Sequence, residues 1–229
     1  MSKKHAKSVI YKFTKRLKTA VEYHRELLLA VHPKKHQASL ETMLAEQFVF
    51  NIAVLWEVFL NELLLSYIVV SPARFSKSLK DRIIQSSKVR FGSEASQMIK
   101  FDFPKKLTIS KAASLADPND FNITAESADK LRERANDFLV ARYARLFTLD
   151  TEDAQLVDFV VVIRNYLAHR SGGAHTRLKK AVALLSGSNA NLHGSVSNVG
   201  TYLKTRDANG DPRSVFVAER LIDLANKLT

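Results

Sequence analysis

Arg164, Asn165 and His169 are the residues of this 229-residue chain whose types and spacing best suit a chemical step. They stand together in residues 156–173, LVDFVVVIRNYLAHRSGG. The planar fork of a guanidinium grips two non-bridging oxygens of a phosphodiester. An imidazole, with an ordinary pKa of about 6.5, moves protons near neutral pH. The pair therefore points to phosphoryl chemistry, with the asparagine placed to orient one partner. Across five positions an unbroken helix rises about 7.5 Å and turns through about 140°. The two side chains thus converge where the helix frays at His169, or where the arginine reaches around. The structural alternative is an Arg and a His complementing the dipole at a helix C-terminus.

The elements that must hold this trio follow from hydrophobic spacing. Leu156, Phe159, Val160, Ile163 and Leu167 recur at helical intervals, which predicts a helix pressed on a core, with Gly172 and Gly173 stopping it. A long helix is predicted over 40–70, capped by Ser39, closed by Pro72 and about 45 Å in length, so that it crosses the domain. Glu57 and Asn61 share one of its faces at i, i+4. They either support Arg164 or His169 across the bundle or form an ordinary buried polar pair.

The remaining chain reads as further helices. One covers 7–31, with Ile10, Phe13, Leu17, Val21, Leu28 and Val31 on one face and Pro33 beyond it. Residues 71–124 read as an irregular insertion between core helices, with short helices over 78–87 and 93–100, faint extended character over 101–110 and a turn at 117–120. Thr124 is expected to cap a helix reaching about Phe147, with Leu131, Ala135, Phe138 and Leu146 inward, and Asp150 or Thr151 to cap the next. A short helix over 176–185 turns Arg177, Lys179 and Lys180 outward, and 187–200 reads as a loop. Segments 201–205 and 214–217 flank Asn209-Gly210 and predict a small β-hairpin, before a last helix over 218–228. The fold class is all-α: a single domain over 1–229, built as a helical bundle with the insertion and a C-terminal hairpin.

Composition narrows the function. An apolar share of 46% with 25% charged residues fits one sizeable core. The absence of cysteine excludes disulfides, thiolate metal sites and a thiol nucleophile, and it fits a cytoplasmic setting. The sequence shows neither a glycine-rich phosphate loop nor a metal-spaced His/Asp/Glu set, so no cofactor and no metal are expected. The most apolar run, 48–70, carries Asn51, Glu57, Asn61 and Glu62, too many polar groups for a bilayer span, so no membrane is expected. Net charge is +12, and residues 1–36 hold ten Lys/Arg against Glu22 and Glu26. Such a basic pole attracts polyanions, or else serves as a solubilising face. A transit peptide is the lesser alternative, since Lys outnumbers Arg and two acids interrupt the run.

With these residues in view, the chain resembles the HEPN superfamily, in particular its bacterial RNase-type branch. RNYLAH at the end of an apolar helix looks like the Arg-polar…His signature, and VLWEVFLNELL is similar to the acid-bearing long helix. The resemblance covers 40–70 and 156–173. The bare Arg-to-His spacing also occurs at Arg25–His32 and Arg170–His175, and about one or two chance matches are expected in such a chain. Only Arg164–His169 adds the asparagine, the apolar helix and the glycines.

The resemblance implies a HEPN-like bundle and an endoribonuclease that needs no metal. The 2′-hydroxyl would attack the adjacent phosphate and leave a 2′,3′-cyclic phosphate. His169 would handle protons, Arg164 would stabilise the phosphorane and Asn165 would orient one of them. It also implies a homodimer and a role in a toxin–antitoxin or antiviral defence system, with an antitoxin or defence protein as partner. Arg170 and His175 would support RNA contact, as would Lys12, Lys15, Arg16, Lys18, Arg177, Lys179 and Lys180. Two other readings stay open: a catalytically silent HEPN module that binds RNA or a nucleotide, and a basic helical nucleic-acid-binding scaffold.

Overall fold

Helix α2, Gln37–Val70, is apolar around most of its circumference, and five of the other described helices are laid on it. The computed structural model describes residues 4–104, 106–117, 126–207 and 210–229. By length and apolarity α2 could cross a bilayer. Here it is the core helix, with Ile52, Leu63, Leu64 and Ile68 fully buried, while its outer stripe mixes Gln47, Asn51 and Glu62 with Met43 and Val58. Its start differs from the sequence expectation. Ser39 lies inside the helix, because the His36 carbonyl already accepts from Ser39 and Leu40 N–H, with His36 in the left-handed region at φ 70°.

Helix α1, Lys4–Ala30, lays Val9, Ile10, Phe13, Leu17 and Val21 on α2. Phe13 stacks on Phe59 at 4.3 Å and tilts against Trp56 at 5.7 Å. Each side chain of this size contributes about 1.5–3 kcal/mol by burial. After α2 the chain enters α3, Ala73–Gln97, which bends at Gly92 (φ 86°) and buries only Phe75, against Phe138. The two short helices read from the sequence are thus largely one bent helix. The described residues of 101–110 form no strand; instead Thr108 caps α4, Ile109–Ala116, which packs on α2 through Ala112.

Thr124 and most of the 117–120 turn lie outside the described residues. The observed cap of α5, Ala128–Phe138, is Ser127, which accepts from Lys130 N–H at 3.2 Å. The helix does not run on to Phe147. Leu139 and Val140 are extended, then α6, Ala141–Ala144, and a 3-10 turn, Arg145–Phe147, tuck Tyr143 and Phe147 against Tyr67.

Helix α7, Thr151–His169, is capped by Asp150, which accepts from Asp153 N–H at 2.8 Å. Two residues later α8, Gly172–Ser188, folds back along it. A 3-10 turn, Ala190–Leu192, and α9, Val199–Lys204, occupy the expected loop and the first expected strand. The second expected strand is the start of α10, Arg213–Lys227. The hairpin is therefore absent: the described residues hold no strand, only an isolated bridge between Arg206 and Pro212. Asn198 caps α9 through Thr201 N–H, and Pro212, which lacks a ladder donor, opens a helix instead. Asn209 lies outside the described residues.

Two contacts set the frame around α7. Arg220 and Lys227 of α10 hold the buried Asp153, with Arg220 also on Glu152 at 3.0 Å. Gly200 lets α9 lie directly on α2, since a Cβ there would run into the side chain and backbone oxygen of Thr42.

Candidate functional site

The first two-thirds of α7 sit in the core, through Leu156, Val157, Phe159, Val160 and Ile163. At Arg164 the helix surfaces: residues 164–167 are half-buried and 168–170 exposed. Geometry there is fixed from α2. Arg164 Nη2 lies 3.4 Å from Glu57 Oε2, and Nη1 donates to Asn165 Oδ1 at 3.0 Å. The arginine side chain is 34% exposed and the glutamate 17%. Burial pushes the Glu57 carboxyl up from its ordinary pKa, and the Arg164 charge opposes that shift. Asn61, one turn along α2, has its Oδ1 buried with no hydrogen-bond partner, as does Arg164 Nε.

A second clamp lies at the end of the helix. Arg170 sits in the left-handed region at φ 50° and sends its N–H back to Tyr166 O at 2.7 Å. Its guanidinium grips Glu46 with two prongs, at 2.6 and 3.3 Å, and lies over the Tyr166 ring. Arg170 and Ser171 therefore end α7. The glycines do not stop it, contrary to the sequence expectation: Gly172 and Gly173 open α8, with Ser171 accepting from Ala174 N–H.

Helix α7 does not fray before His169. The Arg164 and His169 side chains leave an unbroken helix about 140° apart. His169 is exposed and makes no hydrogen bond or ion pair among the described residues. Asn165 supplies the link: it holds Arg164 and shares a face with His169 at i, i+4. Arg164 reaches only as far as Asn165, so within one chain the guanidinium and the imidazole stay apart around the helix.

Of the supporting residues, Glu57 reaches Arg164, Arg170 pairs with Glu46, and His175 packs on Tyr166 with ring centroids 5.3 Å apart. His175 Nε2 is buried and unpartnered. Lys12, Lys15, Arg16 and Lys18 are exposed on α1, and Arg177, Lys179 and Lys180 on α8. The α8 cations flank the motif helix. The α1 cations lie across α2, since Leu55, which faces them, and Glu57 point about 160° apart.

Sequence reasoning missed Glu46 and Tyr166. Glu46 lies eleven residues before Glu57, three turns along the same face of α2, so the signal was a repeat of acids on one stripe. The two acids hold Arg170 and Arg164 in antiparallel order. Chemically, the arrangement offers a fixed, partly exposed guanidinium, an amide beside it and a free imidazole at the helix end. A guanidinium suits an anionic oxygen, and an imidazole suits proton exchange near neutral pH. No family model matches the chain, and no curated protein or solved structure matches it either.

Proposed function

We propose that this protein is an endoribonuclease of the HEPN kind, acting in the cytoplasm on RNA. The observation that carries the reading is Arg164, braced by Glu57 and Asn165 where α7 leaves the core, with His169 free at the helix end. A phosphate seated on the exposed edge of Arg164 would receive attack from its neighbouring 2′-oxygen. The P–O2′ bond forms, the P–O5′ bond breaks, and a 2′,3′-cyclic phosphate and a 5′-hydroxyl result. One imidazole takes the 2′-OH proton and another gives a proton to the departing O5′. Arg164 stabilises the charge that builds on the phosphorane. None of these steps draws on a cofactor.

Two proton transfers and one motif histidine per chain call for a second copy. The α2 stripe beside the motif suits that role: Met43 and Val58 are exposed there with Val54 half-buried, and Phe50 and Leu167 line a small hollow of about 120 Å³ bounded by Glu46 and Arg170. A two-fold pairing across this stripe would bring two His169 side chains to one groove. A toxin–antitoxin or defence setting, with an acidic partner for the basic chain, completes the proposal. The test is cleavage of labelled RNA in the presence of a chelator, comparing wild type with His169→Ala and Arg164→Ala.

A second reading, a non-cleaving RNA-binding helical module, draws on the separation of His169 from Arg164 within one chain. RNA bound equally by wild type and His169→Ala, with no cyclic phosphate formed, would select it.

A further inference from the structure

On the flank of α2 away from the motif, α1 and Leu55 border a shallow groove of about 570 Å³. Its rim carries Tyr11, Lys15, Thr19 and Tyr23, each four residues after the last, so they form one slanting ridge about 18 Å long. Lys12 and Arg16 lie beside the ridge, and Ala20 helps to floor the groove. Tyr11 and Tyr23 are 64% and 61% exposed. Among the described residues neither ring packs on another aromatic ring, and neither hydroxyl makes a hydrogen bond. Lys12, Lys15 and Arg16 form no ion pair among the described residues. Two free aromatic rings and three cations without ion pairs thus lie together beside the groove.

We infer that this groove is a binding surface for unpaired RNA, with Tyr11 and Tyr23 as stacking platforms for bases and Lys12, Lys15 and Arg16 on the phosphates between them. The inference takes its substrate class, RNA, from the proposed function. Cations alone hold any polyanion, duplex included, and carry no preference for an open strand. Free aromatic faces add that preference, because only unstacked bases offer a π-face. At the stacked rise of roughly 3.4 Å the ridge would span about five nucleotides, and an unstacked strand, longer per nucleotide, covers it with fewer. Charge complementarity selects the occupant: a chain of net +12 with its free cations in the groove fits a polyanion.

The test is fluorescence anisotropy with the full chain and a labelled 2′-O-methyl 15-mer, single-stranded or annealed to its complement. The 2′-O-methyl probe has no nucleophilic hydroxyl, so binding is read apart from cleavage. Tyr11→Ala/Tyr23→Ala should raise the Kd for the single strand by roughly tenfold or more, with little change for the duplex. The slope of log affinity against log salt should hold, and Tyr11→Phe/Tyr23→Phe should bind as wild type does. Lys12→Gln/Lys15→Gln/Arg16→Gln should instead flatten that slope by about 2, at roughly 0.7 per phosphate contact. All these side chains are exposed, and an unchanged melting temperature checks that the fold is intact.

Wild-type affinity for single strand and duplex that is equal, or a Tyr11→Ala/Tyr23→Ala protein that binds as wild type, overturns the inference. So does binding to vesicles containing phosphatidylserine that falls in the alanine variant while RNA binding does not, which would assign the surface to a membrane. Cleavage of unmodified RNA, run in parallel, decides the nuclease reading independently.

Discussion

His24 should make this protein acid-sensitive. Its ring is 3% exposed, lies flat on Phe48 at 4.1 Å, and meets Ser214 Oγ through Nε2 at 3.3 Å. Burial first, and the neighbouring Arg25 charge second, lower its pKa from 6.5 to about 4. The sign follows directly. Below about 6.5 the unfolded chain binds a proton that the folded chain refuses until about 4, so stability falls across that window and is fully present above it. The loss from this one group is about 1 kcal/mol at pH 5.5 and about 2–3 kcal/mol at pH 4.5. Asp158 and Glu57, whose carboxyl pKa values burial raises, act in the opposite sense as pH falls. A comparison with His24→Phe removes them. That variant keeps a ring against Phe48 but strands the buried Ser214 hydroxyl, and so costs about 1–3 kcal/mol at pH 7.5. Urea midpoints at pH 7.5, 5.5 and 4.5 should converge for the two proteins as pH falls. Parallel pH profiles would show that His24 does not set the acid sensitivity.

Gly200→Ala should destabilise the fold by about 1–3 kcal/mol in urea titration, because its methyl has to displace the backbone oxygen of Thr42 and so lift α9 off α2. Glu57→Gln should lower kcat by roughly ten- to a hundredfold with Tm nearly unchanged, since the 34%-exposed Arg164 loses its brace but keeps water; a loss confined to KM would make Glu57 a binding group instead. Light scattering at micromolar concentration should give a dimer, and a monomer that still cleaves RNA would remove the need for a second His169.

The helical class and the long central helix were legible because α2 and α7 bury residues at regular helical intervals, and Glu57 was legible as the acid in an apolar run. The clamp on Arg170 was not. Glu46 lies outside the local window in which Glu57 and Asn61 stand out, and its role depends on α2 and α7 running antiparallel. The hairpin expectation failed on local chemistry: Asn-Gly favours a tight turn, but Asn198 and Pro212 each start a helix beside it. The glycine pair misled for a similar reason. Arg170 accepts the left-handed conformation usually left to glycine because Glu46 and the Tyr166 ring hold its side chain there.

On the proposed function, Arg164 and His169 cleave RNA through its 2′-hydroxyl. Purified wild type, incubated with end-labelled single-stranded RNA and excess chelator, should leave 2′,3′-cyclic phosphate ends. His169→Ala should be slower by roughly 10²–10⁴-fold, with its melting temperature close to wild type, because the side chain is exposed and unbonded. Cleavage by purified His169→Ala at the wild-type rate, or products lacking the cyclic phosphate, would contradict the claim.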